Sequence, residues 1–196
     1  MIPGKPHRHV IVAALLILTG CAAEVPVQSF PQITFRHLQP IDLRVADIRV
    51  DPIPPDPVPN DVTAGLPASP ALALTQWARD RLRLAGSTRA TARFTILAAR
   101  VLRKDLEVEG GLTAVFKKQV DQRFDGVVEA EIEIVGERGL RRAMARAKAE
   151  RVITVREDDT IAERRRKLFE MTEKMMADFD KEMEKAIRRH FVEWLF

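Results

Sequence analysis

From Thr160 to Trp194 the chain holds no glycine and no proline. Across that stretch Leu168, Thr172, Met175, Met176, Phe179, Met183, Ile187, Phe191 and Trp194 recur at the spacing of one helical face. Thr160 and Glu163 frame the start as a capping box, in which the threonine hydroxyl and the glutamate carboxylate satisfy backbone amides reciprocally. Glu163–Lys167, Glu170–Lys174 and Glu184–Arg188 stand four apart with the acid first, the favourable order. Such a helix spans about 50 Å, and an apolar stripe that long needs a layer to lie on.

That layer is predicted to be a sheet. Val128, Ala130, Ile132 and Ile134 alternate with Glu129, Glu131 and Glu133, the period-two pattern of a half-buried strand. Gly136 to Gly139 forms a turn, after which Ala143, Ala145, Ala147 and Ala149 alternate with mostly charged residues and lead into Val152–Val155. Alanine favours helix, so a helix over 141–150 competes, but the strict alternation predicts a strand. A four-residue turn pairs Val135 with Leu140. That register sets Glu133 opposite Arg142, Glu129 opposite Arg146, Ile132 opposite Ala143 and Ala130 opposite Ala145.

Upstream, Ala92, Phe94, Ile96 and Ala98 alternate with Arg93, Thr95 and Leu97 in a strand that continues towards Val101. Ile41, Leu43 and Val45 begin another, and a bulge near Ala46-Asp47 would explain why Ile48 and Val50 follow on the other parity. Ser69-Pro70 is a helix start. Ala71, Leu74, Ala78, Leu82 and Ala85 then share a face, with Trp77 beside them and a stop at Gly86. The seven prolines between Asp51 and Pro70 predict a polyproline-like spacer. Leu106–Asp121, broken by Gly110-Gly111, reads as an excursion that tucks Phe116 inward. The whole predicts an α+β fold: an antiparallel sheet of about four strands, covered on one face by a short and a long C-terminal helix.

The N-terminus carries a different signal. Met1–His9 holds Lys5 and Arg8 and no acid, and Val10–Leu18 is an unbroken apolar run, followed by Leu18-Thr19-Gly20-Cys21. The run is about half the length needed to span a bilayer, which fits a secretory signal. Leu18-Thr19-Gly20-Cys21 resembles the lipobox of bacterial lipoproteins, a resemblance covering about the first tenth of the chain. It implies that the Cys21 thiol receives a diacylglycerol, that cleavage falls just before it, and that the new amine is acylated. Cys21 is the only cysteine, so no internal disulfide can form and lipidation gives the thiol a use. Ala22 and Ala23 stand where an aspartate would mark inner-membrane retention. The resemblance therefore implies the periplasmic face of the outer membrane, or the cell membrane of a host that has only one.

The expected organisation is a signal peptide over 1–20, a tether over 21–40 containing Pro26, Pro31 and Pro40, and one periplasmic domain over 41–196. In architecture across 41–195 that domain is similar to small periplasmic α+β envelope lipoproteins such as the lipopolysaccharide-assembly lipoproteins. Cys21-Ala22-Ala23-Glu24 lacks the glycine-aromatic opening of that assembly family, and none of its binding residues carries over. Without the signal the formal charge falls from +4 to +2, and near balance together with export argues against nucleic acid as a partner.

Groups for chemistry are scarce. Only His37 and His190 remain after cleavage, and no His, Cys or carboxylate cluster has metal-ligand spacing. Ser29, Ser69 and Ser87 sit in no Gly-x-Ser-x-Gly turn. The glutamates at every second position read as a solvated strand face, and Asp158-Asp159 adds no acid-base pair to them. Gly110-Gly111 alone is no phosphate loop. No catalytic residue, metal or cofactor is expected.

Two features suit binding. Arg164-Arg165-Arg166-Lys167 could meet an anionic lipid or glycan, against the plainer reading of a solvated helix start; it is an unfavourable placement for the helix dipole. Met171, Met175, Met176 and Met183 read first as core filler. The middle of the long helix, Leu168–Met183, is expected to be buried and its end, Ile187–Phe196, to overhang the sheet. That overhang would leave Phe191 or Trp194 partly exposed beside Arg188 and Arg189 as a partner-binding site. The resulting expectation is a lipid-anchored, non-catalytic envelope lipoprotein that docks a partner protein in assembly or transport. A binder or sensor of an anionic envelope ligand is the alternative, an envelope hydrolase comes last, and self-association is left open.

Overall fold

The computed structural model describes residues 29–52, 58–86, 88–106 and 120–196. The signal, Cys21, the tether as far as residue 28, Ser87, Gly110-Gly111 and Phe116 lie outside the described residues. Within them the chain forms β1 (Ile41–Leu43), β2 (Asp47–Pro52), α1 (Pro70–Arg81), β3 (Leu82–Leu84), β4 (Thr91–Asp105), β5 (Val120–Val135), β6 (Arg141–Arg156) and α2 (Ile161–His190).

The fold is α+β, with a four-stranded sheet in the order β2-β4-β5-β6 and a two-stranded pair β1-β3. The sheet is mixed rather than antiparallel: β4, β5 and β6 are antiparallel neighbours, whereas β2 runs parallel to β4 and β1 parallel to β3. The reason is α1. A parallel pair needs a crossover of helical length, and α1 stands between β1–β2 and β3–β4. Nor is 41–50 one bulged strand. The chain breaks after Leu43, and its two halves join different sheets.

Both helices begin as the sequence predicts. Ser69 Oγ accepts from Leu72 N–H, with Pro70 in the first turn. At α2 both halves of the Thr160–Glu163 capping box are made. The end of α1 differs. It stops at Arg81, not at Gly86, because Leu82–Leu84 pairs with β1 and the strand takes over.

One face of the sheet is covered. Ala92, Phe94 and Ile96 of β4, Val128, Ala130, Ile132 and Ile134 of β5, and Ala145, Ala147 and Ala149 of β6 are buried with Trp77 of α1 and Met175, Met176, Phe179 and Met183 of α2. Trp77 stacks on Phe94 (5.5 Å) and meets Phe179 edge-on (5.4 Å). The 141–150 segment is strand, and its alanines leave room for the bulkier side chains of α2 above β6. Gly126 does the same on β5: a Cβ there would stand 3.0 Å from Met171 Cε.

Two registers differ from expectation. The β5–β6 hairpin pairs Ile134 with Ala143, Ile132 with Ala145 and Ala130 with Ala147, two residues from the predicted register. An irregularity at Ile134/Val135 takes up the difference beside the 136–139 turn, where Gly139 has φ +73. A shift of two preserves the faces, so the alanines still face inward. Glu129 and Arg146 still meet at 2.7 Å, now as a diagonal pair, and Glu133 pairs with Arg141 in place of Arg142. In β4 a bulge between Ile96 and Ala98 flips the parity, burying Ala99 and Val101 and leaving Ala98 on the open face.

Of the predicted helix pairs, Glu170–Lys174 and Glu184–Arg188 form at 3.7 and 2.6 Å. Glu163 is taken by the cap, and Lys167 reaches Asp159 at 2.5 Å instead. Residues 29–40 are not all tether: Phe35 is core, and Phe30 stacks on Phe169 of α2 at 4.9 Å.

Candidate functional site

The end of α2 does not overhang. Phe191 is 0% exposed and caps the helix, donating its N–H to Ile187 O. The chain then reverses through a short 3-10 turn, Val192–Trp194. Leu195 bridges antiparallel to Leu43, Arg44 N–H donates to Trp194 O (2.8 Å), and Phe196 N–H donates to Asp42 O (3.2 Å). The final residues thus close the small β1–β3 sheet. Phe191 is core rather than a partner contact.

Trp194 is different. It is half-buried and lines an open cleft of about 750 Å³ with Thr88, Arg89, Ala90, Glu137, Arg138 and Arg142 among its neighbours. Three segments distant in sequence converge here: the approach to β4, the β5–β6 turn and the C-terminus. Arg89 reaches Glu137 at 3.5 Å, and Arg138 and Arg142 are exposed. Val192 is exposed nearby, and Phe196 is 84% exposed with the Arg44 guanidinium 5.7 Å from its ring centre. Arg188 and Arg189, the predicted companions of Trp194, do not line the cleft, and Arg188 pairs with Glu184. No spacing in the sequence marks Arg89, Arg138 and Arg142, because only the fold brings them together.

The basic run lies at the other end of α2. Arg164 Nη1 donates to Gln122 Oε1 (2.7 Å), the Arg165 guanidinium lies 5.8 Å from the Phe30 ring centre, and Arg166 is exposed. Lys167 serves Asp159, whose carboxyl is held below its ordinary value by that hydrogen bond and by the Arg156 amide. Glu163 is lowered likewise by the Thr160 amide and hydroxyl. Of the run, Arg165 and Arg166 present their charge to solvent.

Sequence reasoning missed the polar group at the centre of the core. Arg81, 2% exposed, donates from Nε to Asp180 Oδ1 (2.8 Å) and also reaches Glu184 and the Gln39 carbonyl. Trp77 Nε1 donates to the same Asp180 oxygen at 2.7 Å. Burial opposes ionisation of Glu184, but the hydrogen bond from Arg188 and the charge of Arg81 outweigh it and hold the carboxyl low. The group joins α1, α2 and residues 35–39, with Phe35 N–H donating to Asp80 Oδ2 (2.9 Å). Every member is engaged in holding the fold.

His37 and His190 are both exposed and lie on separate elements. Among the described residues no group of three or more His, Cys, Asp or Glu could hold a metal ion, and no helix is long and apolar enough to cross a membrane. The chain matches no protein-family model and no curated protein sequence.

Proposed function

We propose that this chain is a lipid-anchored envelope lipoprotein, held by Cys21, whose domain docks an acidic segment of a partner protein in the cleft around Trp194 and performs no catalysis itself. The observation that supports it best is the composition of that cleft: a half-buried tryptophan with Arg89, Arg138 and Arg142, of which Arg89 pairs with Glu137, and with Glu193 as the second acid of the lining. Trp and Arg are the residues most enriched in binding hot spots. Arginine also recognises carboxylates through two parallel hydrogen bonds. The cleft replaces the Phe191–Arg188–Arg189 surface expected from the sequence.

The anchor and the cleft are tested separately. Cys21→Ala is expected to leave unprocessed precursor and to abolish palmitate labelling; normal maturation of that variant, with no label on the wild type, would end the lipoprotein reading. For the cleft, the charge reversal Arg138→Glu/Arg142→Glu alters two exposed side chains. It should leave the melting temperature nearly unchanged while reducing in-cell crosslinking to a stoichiometric protein partner by tenfold or more, about 1.4 kcal/mol in binding. Undiminished crosslinking would move the site elsewhere, and crosslinks to glycan or lipid alone would favour an anionic-ligand binder.

A further inference from the structure

We propose that the surface at the start of α2, formed by Ile161, Arg165 and Arg166 with Leu72 beyond Phe30, rests on the anionic headgroups of the membrane that holds the anchor. The inference rests on lipidation of Cys21.

Chain length gives the first argument. The segment after residue 28 is bound to the domain: Phe30 stacks on Phe169, Phe35 donates to Asp80, and Gln39 accepts from Arg81. Only residues 22–28 therefore separate an acylated Cys21 from the docked segment. At about 3.5 Å per residue even a fully extended chain keeps Ser29 within about 28 Å of the anchor. The described chain begins at Ser29, next to Phe30, and Phe30 lies under Arg165.

Composition gives the second. At 3.6 residues per turn, Ile161, Ala162 and Arg165 share the side of α2 that carries Phe169, Arg166 lies at the edge of that side within reach of Glu163 and Glu170, and Lys167 falls on the opposite side. The nearest acids of the helix start have partners of their own, Asp159 in Lys167, Glu163 in the cap and Glu170 in Lys174, while Glu157 and Asp158 stand exposed in the turn before the helix. Glu173 is the first acid on the Phe30 side, about two turns further along. Ile161 is 80% exposed and Leu72 71%, and Leu72 shares a groove with Phe30. Exposed aliphatics beside arginines match the composition of surfaces that settle at a bilayer interface. Headgroup phosphates would also offset the cost of arginines at the positive end of the helix dipole. Seated this way, α2 is about 45 Å long and carries the Trp194 cleft away from the membrane.

The acylated full-length protein tests this directly. With Cys21 consumed by lipid, a thiol introduced as Ile161→Cys or Arg189→Cys is the only free one and takes a fluorophore. The labelled proteins are reconstituted on phosphatidylcholine vesicles, with or without phosphatidylglycerol, carrying a headgroup quencher. Position 161 should be quenched strongly when phosphatidylglycerol is present, and position 189 weakly in both. Each basic residue near an anionic surface contributes about fivefold to the docking equilibrium, so Arg165→Glu/Arg166→Glu should lower the docking equilibrium constant read at position 161 by about 25-fold or more. Raised salt should do the same. Protein that fails to float on neutral vesicles ends the lipidation reading and this inference with it. Protein that floats but is quenched equally at both positions, or at 161 regardless of phosphatidylglycerol and charge reversal, overturns the orientation alone. Protection of position 161 by a co-purifying protein instead of lipid assigns the surface to that protein and also overturns it.

Discussion

Phe179→Ala is expected to cost the domain about 3–5 kcal/mol, the usual range for removing a buried aromatic side chain. Phe179 is fully buried midway along α2, edge-on to Trp77, which in turn stacks on Phe94 of β4. The three rings tie both helices to the sheet, so the cavity left by alanine opens where all the layers meet. Neighbouring methionines can partly fill it, since their side chains are unbranched and adaptable; that favours the lower half of the range. Small domains hold only about 5–15 kcal/mol in total, so a large fraction of the stability goes with one ring. Urea denaturation should show a lower midpoint with an unchanged slope. A loss below about 1 kcal/mol would mean that this region is loosely packed.

Asp180→Ala should be as damaging for a different reason. It removes the acceptor shared by Arg81 Nε and Trp77 Nε1, leaving a nearly buried cation with only Glu184 and a backbone carbonyl, and a buried indole N–H that has lost its acceptor. Breaking a buried pair from one side typically costs about 3–5 kcal/mol, because the stranded charge has lost its water. Glu184 is partly exposed and still reaches Arg81, which should hold the loss near the bottom of that range. The control is the double variant Arg81→Met/Asp180→Leu, which replaces the pair with apolar groups and should recover much of the stability. Measured by the same denaturation, Asp180→Ala should fall well below both the wild type and the double variant. If it matches an exposed substitution such as Glu182→Ala, the network contributes nothing to stability.

Charge pairing at these positions could not have been anticipated from spacing. Arg81 and Asp180 stand 99 residues apart, and each has exposed charged residues close by in the sequence, Arg79 and Arg83 for one and Lys181 and Glu182 for the other. Periodicity marks the apolar stripe of α2 but cannot say that Asp180, at its margin, faces a second helix. The Trp194 cleft shows the same limit. The repeat that placed Phe191 and Trp194 on one stripe holds for Phe191, which is core. Past the helix end the backbone turns, and helical phase no longer says where Trp194 points.

What the sequence alone determined is whatever depends on neighbours along the chain. The cap at Thr160, the start at Ser69-Pro70, the strand alternation from Val128 to Ile134 and the turn at 136–139 are all of this kind, since hydrogen bonds and side-chain direction there are set within a few residues. Even the alanine-rich 141–150 strand was legible, because period two outweighed a helix propensity of a few tenths of a kcal/mol per residue. Tertiary structure decided what depends on which segments meet. It made β2 parallel to β4 by passing the chain through α1, shifted the hairpin register by two, and bound residues 30–39 to the helices. It also gathered Arg89, Arg138, Arg142 and Trp194 into one cleft. The physical reason is that local rules fix the face each residue presents, whereas the burial and pairing energies that choose a partner for that face are summed over the whole fold.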